Sequence, residues 1–239
     1  MGSVGNTKGR RERLRVETTA EIKKVALELM ASGGPDAITL RAIAREMGMT
    51  ANAIYGYFAT RDDLVTTLIN TVYTSLAETV DAVSDAAPVQ DPAARIEAWA
   101  GAFRGWALAN PEGFRLIYGD PVPGYRPPEG GAAPEAAQRV CTGITALAAA
   151  AWPHTEPHYR DSDFTWSDFA PAVLDKVRPA FPTLPPAALA LGLRIWSHLH
   201  GLVSLEIYGH LQTQTLSPEK LFREELAQLI RSLGITPQS

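Results

Sequence analysis

Thr39–Arg61 reads TLRAIAREMGMTANAIYGYFATR, and this stretch decides the fold. As a helix it places Leu40, Ile43, Ala44 and Met47 at i, i+3, i+4 and i+7, on one face. Gly48 follows, able to take a left-handed turn without a Cβ clash. Thr50 offers a hydroxyl cap to a second short helix, expected over Ala51–Phe58, with Ile54 and Phe58 turned to the core. A small Ala44 at the crossing, the turn Gly48 and the aliphatic Ile54 together predict a helix-turn-helix. Its second helix leaves Thr50, Ala51, Asn52, Tyr55 and Tyr57 facing outward, types suited to groove edges and phosphates. Asn52 can pair bidentately with adenine. Arg41, Tyr55, Tyr57 and Arg61 suit phosphate, and Thr39 at the head of the motif completes the candidate DNA-binding set.

Charge supports this placement. The whole chain of 239 residues has net charge −4. Residues 1–61 carry 10 Lys+Arg against 6 Asp+Glu, whereas residues 62–239 carry 12 against 20. A small basic end on a larger acidic body suits a nucleic-acid-binding module joined to one that does not bind it. The basic N-terminus lacks the apolar run of a secretory signal, and no run of about 18 apolar residues predicts a membrane span. A lone Cys141 excludes an internal disulfide framework and fits a reducing cytoplasm.

Outward from the motif, residues 1–17, with RRERLR near their end, read as a flexible basic arm that reaches phosphate or extends the first helix. A helix is expected from about Val16 to Ala31, with Ile22, Val25, Ala26, Leu29 and Met30 on one stripe, ended by Ser32-Gly33-Gly34-Pro35. Thr60-x-x-Asp63 opens a linking helix whose apolar face runs from Leu64 to Val80. Asp91-Pro92 starts the next, with Ile96, Trp99, Ala100, Phe103 and Trp106 inward. Asn110-Pro111 starts a short one to about Tyr118, and residues 120–131 form a loop rich in Pro and Gly. Further helices are expected over Pro134–Ala151, Trp166–Ala180, from Pro186 to about Gln212, and after Ser217-Pro218. Residues 152–163 read as a second loop. The chain is all-α: an N-terminal three-helix DNA-binding head over residues 18–62 and a helical ligand-binding and dimerisation domain over 63–239.

Thr39-x-Arg41-x-Ile43-Ala44-x5-Met49-x5-Tyr55-x2-Phe58-x2-Arg61 resembles the signature of TetR-family transcriptional repressors. Tyr57 stands where a His is usual, and Arg61 where a Lys is usual. Trp196-x3-His200-Gly201 resembles the tryptophan-histidine-glycine signature of one C-terminal domain type among these regulators. The resemblance implies a DNA operator, an inducer pocket in the helical body and a homodimer built from the C-terminal helices.

Trp99, Phe103, Trp106, Tyr118 and Trp196, with His200, are the candidate lining of a cavity for a small apolar or aromatic inducer. The stripe on the 186–212 helix and that on 218–232 exceed what one subunit should bury. They predict a two-fold contact through Leu199, Gly201 and Leu202. His198 and His200 lie two apart on different helix sides, so they do not form a metal pair. His154 and His158 sit in a loop with Pro, a poor ligand frame. No metal, cofactor, phosphate loop or nucleophile elbow is expected, and the chain reads as a cytoplasmic regulator rather than an enzyme. The alternative is an activator, or a regulator with the same head controlled by a protein partner.

Overall fold

The structure is a computed structural model that describes residues 4–88 and 90–235, with side chains from residue 9 onward. Every regular element among the described residues is helical. The chain divides into two compact units, Met1–Val72 with Pro111–Ala133, and Tyr73–Asn110 with Pro134–Ser239. The sequence boundary at 62/63 falls inside one helix, and residues 111–133 join the first unit instead of the second.

In the first unit α1 spans Val4–Gly33. The arm expected over 1–17 is therefore helical from Val4, while Met1–Ser3 lie outside the described residues. Arg10–Arg15 is a run of good helix formers. Arg15 also fastens it, donating Nη2–H to the Gly56 carbonyl at 3.2 Å. Gly34, at φ +73°, ends α1 and donates its N–H to the Met30 carbonyl. A short 3₁₀ turn, Pro35–Ala37, leads to α2, Leu40–Glu46, and α3, Ala51–Tyr55. Ile22, Ile38, Ile43 and Ile54 are fully buried at the centre of this bundle. The helix α4, Arg61–Ala86, opens with a reciprocal capping box. Asp63 N–H donates to Thr60 Oγ1, and Thr60 N–H to Asp63 Oδ2, each at 3.0 Å. A short α6, Pro111–Tyr118, packs on α1 with Phe114 buried. The loop after it is held to the start of α4 by Tyr125 and Thr66, whose hydroxyls lie 2.9 Å apart.

The second unit holds the remainder of α4 with α5, Pro92–Ala109; α7, Pro134–Thr155; α8, Pro171–Ala180; α9, Pro186–Ile207; and α10, Pro218–Ser232. Asp91 caps α5 by accepting the Ala94 N–H at 2.9 Å. The helices α5, α7 and α9 pack mutually, and α10 lies on α5 and α9. Three expected boundaries move. The helix α7 runs on through Pro153 to Thr155, whose buried hydroxyl donates to the Leu233 carbonyl at 2.7 Å. Trp166–Asp168 is a 3₁₀ turn, and α8 begins only at Pro171, a residue suited to a first helical position. α9 stops at Ile207, followed by Gly209 at φ +78°, instead of reaching Gln212. Ser217 precedes α10 without a side-chain cap.

Candidate functional site

The reading motif is built from its caps. Thr39 Oγ1 accepts the Ala42 N–H at 3.1 Å, and Thr50 Oγ1 the Ala53 N–H at 3.2 Å. Between them the chain turns through Gly48 at φ +62°. Gly48 N–H donates to the Arg45 carbonyl and Met49 N–H to the Ala44 carbonyl, the paired bonds of a Schellman turn. The second helix is one turn shorter than expected, ending at Tyr55, while Phe58 still reaches the core. With Ile54 buried, the opposite face presents Asn52 and Tyr55 to solvent, Tyr55 at 48% exposure. Arg41 is also exposed, on α2. Ala51 is half-buried, as is Tyr57, whose ring carries the Arg15 guanidinium 5.2 Å from its centroid. The basic turns of α1 thus adjoin the end of α3, a juxtaposition the sequence alone left open.

Arg61 is the correction in this head. Its Nε–H donates to the Ile38 carbonyl at 2.6 Å, Nη1–H to Pro123 at 2.7 Å and Nη2–H to Pro35 at 3.2 Å. A guanidinium engaged on three backbone carbonyls is a clasp on the motif's flank. This engagement weighs against the phosphate contact that its position after Phe58 suggested.

Within the aromatic set Trp99, Phe103 and Trp106 are buried, while Trp196, His200 and Tyr118 are half-buried. Trp99 and Phe103 are fully buried and stacked, with ring centroids 5.4 Å apart. Trp196 packs edge-on to Trp99 at 6.3 Å and tilted on Phe103 at 5.2 Å. His200 lies against Trp196 at 4.9 Å, with Nδ1 3.3 Å from the Ser204 hydroxyl. Burial lowers its pKa from the ordinary histidine value, favouring the neutral ring. Trp106 is buried and donates its indole N–H to Ser75 Oγ at 3.1 Å. Tyr118 belongs to the other unit and packs its ring on Phe114 at 5.2 Å. Trp99 and Phe103, enclosed by their neighbours, fill space at the centre of the body.

Two clefts in the second unit are lined by other residues. One, of about 510 Å³, lies between α4, α5 and α7 and includes Asp81, Arg95, Arg139 and Gly143. The other, of about 420 Å³, lies between α5 and α10 and includes Arg104 and Phe222. In the second, Arg104 is paired with Glu206 through two bonds of 2.8 Å and lies over the Phe222 ring. Sequence reasoning missed Arg95 altogether. Its signal was a charge four residues before Trp99, at the edge of an inward stripe.

The C-terminal helices also depart from expectation. Of the α9 stripe, Leu189, Val203 and Ile207 are buried, Trp196 and His200 half-buried and Leu193 exposed. Of the α10 stripe, Leu226, Leu229 and Ile230 are buried and Leu221 half-buried. Leu199, at 0% exposure, therefore faces its own core instead of a partner. Gly201 and Leu202 are half-buried, and a Cβ at Gly201 would meet nothing within 4 Å. Gly201 lies on a stripe with Leu193, Leu205 and Tyr208, all exposed. Among the described residues no group of His, Cys, Asp or Glu could hold a metal, and no helix is long and apolar enough to cross a membrane.

Comparison with known proteins bears on the same two regions. The family model described as bacterial regulatory proteins, tetR family, matches residues 22–68. A second, described as a tetracyclin repressor-like C-terminal domain, matches residues 96–229. HTH-type transcriptional regulator Rv1816 of Mycobacterium tuberculosis is 31% identical over 236 residues, covering 95% of this chain and 96% of its own. The crystal structure of SCO4313, a candidate regulatory protein, is 35% identical with a TM-score of 0.70, covering 92% of this chain and 98% of that one. A tetR-family regulatory protein from Rhodococcus RHA1, 17% identical with a TM-score of 0.62, covers 92% and 98% and shares the fold.

Proposed function

Since this chain belongs to the tetR family of bacterial regulatory proteins, and is a DNA-binding transcriptional regulator rather than an enzyme, we propose that it is a homodimeric repressor released from its operator by a small molecule. The observation that carries the reading is the face of α3. Ile54 is buried beneath it, while Asn52 and Tyr55 stand clear beside the exposed Arg41. In this reading Asn52 reads a base edge, with adenine as its natural partner, at about 1–3 kcal/mol of discrimination. Thr50, Ala51 and Tyr55 approach the groove, while Arg41, Thr39 and Tyr57 position the head on phosphates. Arg10–Arg15, fastened beside Tyr57, adds charge to the same footprint.

A dimer places two such helices in successive major grooves, roughly 34–36 Å apart. The outer stripe of α9, Leu193, Gly201, Leu205 and Tyr208 with Leu202 at its margin, is the surface we assign to that contact. The Trp196-x3-His200-Gly201 signature on the same helix supports a C-terminal domain of the tryptophan-histidine-glycine type. The residues of α4 belong to both units, so a ligand that shifts this helix changes the head's fit to DNA. Release requires only that the ligand bind the non-DNA form more tightly. A DNA-binding protein of this kind works in the cytoplasm.

The test joins a reporter driven by the chain's own promoter region to sedimentation of the purified protein. Expression should rise when the gene is deleted, and the protein should sediment as a dimer that Leu205→Glu dissociates. Falling expression would assign activation instead. A monomeric wild type would remove the paired-groove geometry.

A further inference from the structure

The cleft between α4, α5 and α7 has an unbalanced inventory of donors. Asp81 and Arg139 close on each other, with Arg139 Nε–H donating to Asp81 Oδ2 at 2.8 Å and Nη2 at 2.7 Å from the same oxygen. Glu135 is exposed in the first turn of α7, where the helix's positive end offsets its charge. Arg95 is left. Its Nε is shielded from solvent and has no hydrogen-bond partner, and the side chain lines the cleft.

A second unmatched donor adjoins the same cleft. Trp99 Nε1 is buried without an acceptor, and Gly143, which lines the cleft, covers it. A Cβ at position 143 would stand 3.0 Å from that nitrogen, so only glycine leaves the indole N–H so thinly covered. Arg95 and Trp99 are four residues apart, on one face of α5. Buried donors without acceptors are costly, and a guanidinium is matched best by a planar oxyanion. In the α5–α10 cleft Arg104 is already bonded to Glu206, and the second arginine, Arg223, is exposed to solvent.

Resting on the reading that a small molecule acts through this body, we infer that the molecule is an organic carboxylate. Its carboxylate pairs with Arg95, and its short apolar part lies over Gly143, Ala146 and Leu147. The volume, about 510 Å³, lies in the range of small-molecule sites. Asp81 and Ser84, on the wall, belong to α4, so an occupant touches the helix that also enters the head. A neutral ligand of equal size leaves Arg95 unmatched and gains less.

Hexanoate and benzoate, their neutral amides, and inorganic phosphate serve as probes against the full chain, by thermal shift and calorimetry. Both acids should raise the melting temperature and the amides should not. Arg95→Gln should weaken acid binding at least about tenfold, the loss of one charged hydrogen-bonding partner. Arg223→Gln, in the other cleft, should bind as the wild type does. Arg95→Lys, which keeps the charge but loses the planar fork, should also bind more weakly, and decides the matter if Arg95→Gln does not fold. Equal shifts by acids and amides, acid binding undiminished in Arg95→Gln, no shift by either acid, or phosphate binding as well as the acids would each overturn the inference. Retention on promoter DNA is measured separately. Acid binding that leaves DNA affinity unchanged upholds the site and removes the release reading. Release by a neutral compound, without acid binding, does the reverse.

Discussion

In the reading head, Thr39 and Thr50 turn their hydroxyls onto backbone N–H groups, and Arg61 turns its three nitrogens onto carbonyls. In the body, Arg95 and Trp99 hold N–H groups that meet no acceptor. The head engages its caps and clasp internally, and Arg41, Asn52 and Tyr55 remain exposed on it. The body buries Arg95 Nε and Trp99 Nε1 without acceptors, and the cleft that Arg95 lines is where the proposed ligand would gain most. A surface site thus shows as outward side chains, an interior site as missing partners.

The widest break in that comparison should come from the body's core. Trp99→Ala removes a fully buried ring stacked on Phe103 and edge-on to Trp196, and should cost about 3–5 kcal/mol in urea unfolding. A loss below about 1 kcal/mol would mean that the ring lines open space after all.

Next come the two arginines of the head. Arg61→Ala strands three carbonyls and should destabilise the protein by about 1–3 kcal/mol. The salt slope of DNA binding by the folded protein should stay nearly constant. Arg41→Ala should do the opposite, with stability within about 0.5 kcal/mol of the wild type and a slope smaller by about one. Measuring both variants by thermal unfolding and by salt-dependent DNA titration sharpens the contrast. Exchanged outcomes would return Arg61 to the phosphates.

The smallest effect is the pH dependence contributed by His200. Burial lowers its folded pKa, so below the ordinary value of 6.5 the unfolded chain takes up a proton that the folded chain resists. Stability should fall as pH drops through that value toward the lowered folded pKa, and His200→Gln should flatten this part of the profile. A wild type and variant with parallel profiles from neutral to mildly acidic pH would show that the ring is solvated.

Local chemistry made the head legible. Gly48, the Thr caps and the Ile43–Ile54 spacing act within a few residues of themselves, so residues 39–58 specify their own turn. The all-α class followed from period and from Pro or Asp at helix starts, as at Asp91-Pro92. Whatever depended on distant partners stayed hidden. Arg61 reads as one more basic residue until Pro35, Ile38 and Pro123 are brought to it. Leu199 and Leu205 look equivalent along α9, but α5, α7 and α10 cover one face only. Trp99 reads as pocket or core until Phe103 and Trp196 close on it, and Arg95 carries no signal of its own until its Nε is buried without a partner. Periodicity records which face of a helix is apolar. Whether that face meets its own chain, a second chain or a ligand is set by packing between segments far apart in sequence, and only the tertiary structure decides it.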